Sequence, residues 1–232
     1  MEAVEKALEA QAAARHGSFA GAEVLFGRDG LHPAMWGISK DQVRAFGDRV
    51  RAAMECGELT NSTPAFLPQY PQEIFDDPRR GPNMHQVNTM FIKPYTARAE
   101  HRLPGASYAV LENLDAGGKL CELFISHAWD EPVFEFVEHA LREWPDDCDG
   151  AYVCFVSNPQ NLDITDLLSH PDGSPFERVL GFATRPKAVI MLANSRMPIH
   201  KRLCARRPGP CPCPPPAPPA PLLQFSPLPA FD

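Results

Sequence analysis

Three short apolar runs, separated by two stretches with helical patterning, constrain the fold of this chain more than any other feature. The runs are residues 120–126, 151–157 and 187–194, and each has the length and composition of a strand buried on both faces. Asp130 can cap a helix after the first run, and Ser174 begins a capping motif after the second. This order predicts a parallel α/β sheet of the flavodoxin-like type, with helices on both faces.

Ligands of such a sheet lie at the carboxyl ends of its strands, where the strand order reverses. Three polar loops directly follow the apolar runs, at residues 126–130, 157–161 and 194–196. We therefore expect any binding site to be built from these loops.

The rest of the chain divides by composition. Residues 1–59 predict a helical appendage, in which Ser39 and Gln42 form a capping box. Residues 60–107 contain scattered prolines and predict an irregular linker or arm, followed by a partial α/β domain over residues 108–207.

Residues 208–232 contain eleven of the 26 prolines. Such a segment cannot form a helix or a ladder, so it predicts a disordered or polyproline II tail. Pro215 and Pro218 have the PxxP spacing that SH3 or WW modules bind. The alternative is that the tail is incidental, through a truncation, alternative splicing or a gene-model error after Cys204.

Composition excludes several classes of protein. The net charge of −7 argues against a general nucleic-acid binder, and no apolar run approaches the ~18 residues of a membrane span. The charged amino terminus lacks the apolar core of a signal peptide, and the seven cysteines are odd in number, as expected for reduced thiols in the cytoplasm. His and Cys residues show no paired ligand spacing, so no metal site is predicted.

The sharpest motif is FISHAWD, which runs from Phe124 to Asp130. A purely structural interpretation is open, in which Ser126 and His127 end a strand, Trp129 packs and Asp130 caps a helix. A first strand that ends in Phe-Ile-Ser-His, with an acid shortly after it, also resembles the opening of Toll/interleukin-1 receptor (TIR) domains, which are flavodoxin-like. Roughly residues 81–204 are similar to a TIR-like group of algae and protists, through ordered motifs at residues 81–87, 92–94, 124–130, 158–161 and 174–176.

The TIR resemblance implies two activities, namely cytosolic signalling through domain-to-domain assembly and, in some members, cleavage of the nicotinamide–ribose bond of NAD. Enzymatic members use a glutamate on the helix after the third strand, and no glutamate follows Glu177 here. The resemblance therefore favours an intracellular interaction or signalling module, non-catalytic as written, truncated after its third strand, with other TIR-like domains as partners. An NAD glycohydrolase or ADP-ribose-transferring enzyme and a truncated, non-functional fragment are the alternatives.

The resemblance also implies where a nucleotide such as NAD would bind, although it assigns no catalytic residue. In that crevice Trp129 would stack on a base, while His127 and Asp130 would hydrogen-bond a ribose or a phosphate-bearing group. The residues expected to line the crevice are Ser126, His127, Trp129, Asp130, Asn158, Gln160 and Asn194.

Overall fold

A three-stranded parallel sheet forms the centre of the computed structural model, which describes residues 1–15, 17–59, 79–183 and 186–193. Its strands are β1 (Leu123–Ser126), β2 (Ala151–Val153) and β3 (Ala188–Met191), in the order β2-β1-β3. Leu123 lies opposite Ala151 on one side and Ala188 on the other. The predicted α/β class and the parallel arrangement of the strands are confirmed.

The strands are shorter than the apolar runs that predict them. The first run enters the sheet only at Leu123, and the second leaves it after Val153. There the Ser157 hydroxyl accepts a hydrogen bond from the Val153 N–H at 3.0 Å, and residues 154–157 turn into a short helix. In β3, Val189 and Met191 are exposed rather than buried, because successive side chains point to opposite faces and only Ala188 and Ile190 pack against the first cluster.

Helices and short turns make up the remaining regular structure. The helices are α1 (Glu2–Ala13), α2 (Ala20–Leu25), α3 (Lys40–Glu55), α4 (Met84–Val87), α5 (Lys93–Thr96), α6 (Tyr108–Glu112), α7 (Val133–Glu143), α8 (Cys154–Ser157), α9 (Thr165–Leu168) and α10 (Pro175–Leu180). A π-helical turn, Asn88–Ile92, joins α4 to α5, and 3₁₀ turns lie at Pro33–Met35 and Leu114–Ala116.

The predicted capping boxes at Ser39 and Ser174 are both present, at the starts of α3 and α10. The predicted cap at Asp130 is wrong. Helix α7 begins later, with Pro132 in an extended conformation at its N-cap position. Proline is suited to the start of a helix because its fixed φ is compatible with the first turn and it has no N–H to leave unpaired.

Two buried clusters cover the two faces of the sheet, because successive residues of a strand point to opposite faces. Leu123 and Ile125 belong to the first cluster, which contains residues of α3 and α7. Phe124 belongs to the second, which contains residues of α1 and α2 together with Trp36. Residues of the amino-terminal helices α1, α2 and α3 therefore pack in the clusters on both faces of the sheet.

The segment expected as an irregular linker differs in its described part. Met84, Val87 and Ile92 are fully buried in the first cluster, and residues 84–96 are helical throughout. Prolines and polar residues before position 83 suggested an irregular chain, but the apolar residues beyond it supply one buried helical face. The division into units at residues 59, 107 and 207 stays a prediction.

The Pro-rich tail with Pro215 and Pro218, the loop containing Asn194, and residues 60–78 lie outside the described residues. Across the part of the chain that the structure describes, no helix combines the length and apolar character needed to cross a bilayer.

Candidate functional site

The carboxyl edge of the sheet is the place where the polar loops were expected to meet. Strand β1 is central, and the chain passes from β1 to β2 on one side and then to β3 on the other. The strand order reverses at β1, which makes this edge the favoured ligand position of an open α/β sheet. Ser126 ends β1 here, and His127 follows it.

His127 is enclosed by protein groups at this edge. Its side chain is only 1% exposed, and its ring lies edge-on to Phe155 and Phe136, at centroid distances of 4.9 and 5.5 Å. Nε2 lies 3.0 Å from Cys154 Sγ, and Nδ1 lies 3.2 Å from the Ala128 carbonyl oxygen and 3.5 Å from Glu131 Oε1. A ligand that bonded to this imidazole would have to replace one of these contacts.

Glu131 is as deeply buried as the imidazole that it faces, with its side chain 1% exposed. Cys154 is the first residue of α8, at the point where the chain leaves β2. The thiol of Cys154 and the carboxylate of Glu131 thus lie beside different ring nitrogens of His127, and Nδ1 also lies beside the Ala128 carbonyl oxygen. We call these three side chains the Cys154–His127–Glu131 array.

Trp129 and Asp130 lie beside this array, towards α4. The Trp129 ring is 6.0 Å from the His127 ring and 5.2 Å from the His85 ring, measured between centroids. Asp130 Oδ1 is 3.9 Å from His85 Nε2. Burial lowers the pKa of His85, and the Asp130 carboxylate opposes that shift only in part. The Met84 N–H donates to the Trp129 carbonyl at 3.1 Å, which fixes α4 against the loop.

Asn158 and Gln160 shape the loop after β2 from two different directions. Asn158 is 5% exposed, and its Oδ1 accepts a hydrogen bond from the Tyr152 hydroxyl at 2.5 Å. Tyr152 belongs to the second cluster, so Asn158 is bonded to a residue of that cluster. Gln160 instead donates to the Cys154 carbonyl at 3.3 Å and accepts from Asn88 Nδ2 at 3.0 Å.

The structure therefore brings His127, Trp129 and Asp130 together and connects Gln160 to them through the backbone of Cys154. Ser126 adjoins the group along the chain, and Asn158 serves the neighbouring core. Asn194 lies outside the described residues.

Cys154, Glu131 and His85 were missed by reasoning from sequence. Cys154 stands inside an apolar run that predicts the middle of a strand, and its contact with His127 spans 27 positions. Glu131 suggests only a helix start, since acidic residues are common there. The one local signal was the cluster of an acid, an imidazole and an indole within FISHAWD and the residue after it.

The array can carry out proton transfer. A neutral imidazole can accept the proton of an adjacent thiol, and a carboxylate on the opposite nitrogen stabilises the imidazolium that results. Among the described residues, no group of three or more His, Cys, Asp or Glu side chains could hold a metal ion.

No family model, curated protein or solved structure matches the chain. The resemblance to TIR domains consequently stays a prediction from the motifs of the sequence.

Proposed function

We propose that this protein is a TIR-like, flavodoxin-like module of the cytoplasm, which signals by assembling with other TIR-like domains and is non-catalytic as written. The observation that carries the proposal is the sheet order β2-β1-β3 with Phe-Ile-Ser-His at the carboxyl end of β1. The flavodoxin-like order 2-1-3-4-5 begins in the same way.

The proposal includes a crevice for NAD or a related nucleotide at the edge that Trp129 and Asp130 share. Trp129 is half-buried, and an indole has a flat face on which a base can stack. Asp130 supplies a carboxylate that can accept hydrogen bonds from ribose hydroxyls. His127 and Glu131 support the loop beneath them, since both side chains are buried.

Ligand-observed NMR on the full-length protein tests the nucleotide part of this proposal. We expect saturation transfer to NAD, its loss in Trp129→Ala, and its retention in Trp129→Phe, which keeps an aromatic face. A folded protein that shows no transfer to NAD would refute the crevice. A nicotinamide-release assay on the same sample separates binding from the rival NAD-cleaving function, for which turnover is required.

Light scattering across a range of protein concentrations tests the assembly part. We expect the mass to rise with concentration, because a module that acts by self-assembly must associate reversibly. A mass that stays at one chain throughout would contradict assembly with its own kind. A broad, non-cooperative urea transition would favour the fragment alternative instead.

The Cys154–His127–Glu131 array favours a second candidate function, which is chemistry at the Cys154 thiol. We propose that His127 Nε2 accepts the thiol proton and that Glu131 stabilises the resulting imidazolium. The thiolate would then attack an electrophilic carbon. With iodoacetamide as the probe, a sulfur–carbon bond forms at the methylene group, the carbon–iodine bond breaks, and iodide leaves.

Alkylation measured by mass spectrometry for each cysteine tests this second candidate. At about pH 6.5, two units below the usual thiol pKa, we expect Cys154 to react faster than Cys56, although Cys56 is the more exposed thiol. His127→Ala and the smaller change Glu131→Gln should both slow Cys154 and leave Cys56 unchanged. If Cys154 reacts more slowly than Cys56 at every pH, the thiol function is excluded.

A further inference from the structure

The outer edge of β3 is open in the part of the protein that the structure describes. Strand β3 pairs with β1 on one side, and among the described residues no strand or isolated bridge pairs with its other side. Such an edge presents backbone N–H and C=O groups that another strand can bind. Natural sheets commonly block pairing at an edge with charged residues or proline, and residues 188–193 contain neither.

The backbone groups of Val189 and Met191 point towards this open edge. The Leu192 N–H donates to a carbonyl oxygen of β1 at 3.0 Å, and the Ala188 N–H shares a carbonyl oxygen just before β1 with the Lys187 N–H, at 3.4 and 2.7 Å. The hydrogen-bonding groups of successive residues point to opposite sides of a strand. Val189 and Met191 alternate with the residues that bond to β1, so their N–H and C=O groups face outwards.

The side chains of the same two residues form an exposed apolar pair. Val189 is 61% exposed and Met191 is 44% exposed. Both lie on the face of β3 opposite to Ile190, which packs against the first cluster. A strand that approached this edge would therefore meet open backbone groups and apolar side chains at the same two residues.

A second copy of β3, related to the first by a two-fold axis at Ile190, matches both features. The two strands are then antiparallel, and Val189 of each chain lies opposite Met191 of the other. Because both residues direct their backbone groups outwards, each such pair exchanges two N–H···O=C bonds. Each pair also places one apolar side chain beside another, which is a stabilising cross-strand contact. No other axis along β3 uses both residues in this way.

We propose that this protein forms a symmetric dimer through antiparallel pairing of β3 with β3 of a second copy, which joins the two sheets into one. Two-fold dimers are the commonest closed assemblies of soluble proteins. The pairing strand has only four residues, so the contact is small and the association is weak and reversible. This inference rests on the self-assembly in the proposed function and names its surface, but it does not depend on the nucleotide crevice.

A charge placed on the exposed face of β3 tests this surface. By symmetry, Val189→Glu and Met191→Lys each put a charge beside an apolar side chain in both cross-strand pairs. We expect either change to raise the dissociation constant of the full-length dimer about tenfold, measured by sedimentation velocity. Leu168 lies on α9 and is 47% exposed, so Leu168→Glu and Leu168→Lys are matched controls that should leave the dissociation constant unchanged.

A 1:1 mixture of the two β3 variants tests the register. In a mixed dimer, the carboxylate introduced at position 189 of one chain lies opposite the ammonium group introduced at position 191 of the other, and the second pair stays apolar. We expect the mixture to associate about threefold more tightly than either variant alone. A mixture of the two Leu168 variants should show no such gain. Because a gain on mixing requires folded chains, it separates loss of the surface from loss of the fold.

Three results would overturn the proposal, each in a different way. If the wild type and both β3 variants associate equally well, the surface is wrong and the proposed self-assembly stands. If mixing restores no affinity, the two-fold register at Ile190 is wrong. If the wild type keeps the mass of one chain at every concentration, as it would if another segment of the same chain covered this edge, both the dimer and the proposed self-assembly are excluded.

Discussion

Replacement of Phe46 by alanine tests whether the amino-terminal helices belong to the same folding unit as the sheet. Phe46 lies on α3 and is 1% exposed, with its ring 5.2 Å from that of Tyr108 and 5.6 Å from that of Phe155. Truncation of a buried phenylalanine costs about 3–5 kcal/mol, through lost transfer energy and the cavity that remains. The contacts with two further rings place Phe46→Ala in the upper half of this range, at about 4 kcal/mol.

Urea unfolding of the full-length protein, followed by tryptophan fluorescence, measures this loss. Trp36 lies in the second cluster and Trp144 in the first, so the signal reports on both faces of the sheet. We expect one transition that moves to lower urea with an unchanged slope. Leu180→Ala, at a side chain 40% exposed, is the control and should cost less than about 0.5 kcal/mol.

Two outcomes would refute the reasoning about Phe46. A loss below about 1 kcal/mol would mean that α3 contributes little to the stability of the sheet. Two separate transitions would mean that residues 1–59 unfold on their own, as the predicted helical appendage would.

Two further predictions concern one ion pair and two glycines. The Asp149 N–H, which donates to the Glu122 carboxylate at 2.7 Å, and Lys187 lower the pKa of Glu122. The charged carboxylate therefore stabilises the fold above its unfolded pKa of about 4.3. This stabilisation is lost as the pH falls through the lowered pKa of the folded state. Glu122→Gln should therefore lower the free energy of unfolding in urea by less than about 1 kcal/mol at pH 7 and leave it unchanged at about pH 2. An equal loss at both pH values would contradict a stabilising role for the charge. Gly81 and Gly57 both have positive φ, of 70° and 80°, but a Cβ at Gly81 would come within 2.6 Å of the Phe134 ring, whereas a Cβ at Gly57 would meet nothing within 4 Å. Gly81→Ala should lower the free energy of unfolding by at least about 1 kcal/mol more than Gly57→Ala in the same assay, and equal losses would show that backbone strain alone acts.

Features governed by local sequence were predictable, whereas those set by distant contacts were not. The capping boxes at Ser39 and Ser174 follow from side chains three residues apart, and both are present. The apolar runs predict the parallel sheet, but they do not reveal that β2 ends at Val153, because apolar residues also suit the buried turn of α8.

The candidate site shows the same division. Position after a buried strand was enough to single out His127 and Trp129 at the carboxyl edge. Their partners come from elsewhere: Cys154 from the end of β2, and His85 from a segment that the prolines before it made look irregular. Only the folded chain defines which thiol or imidazole reaches that edge.

The assignment of neighbouring β1 residues to opposite buried clusters determines how the strand tolerates change. Phe124 faces the second cluster and Ile125 the first. A shift of the β1 register by one residue would therefore place a phenyl ring where the isoleucine packs in the first cluster, and an isoleucine where the phenyl ring packs in the second. An insertion of one residue immediately before Leu123 that shifted the register would thus disturb the packing of both buried clusters. It would also change the position of His127 at the end of the strand. The register of this one short strand is therefore fixed by side chains of different shape that pack on its two faces.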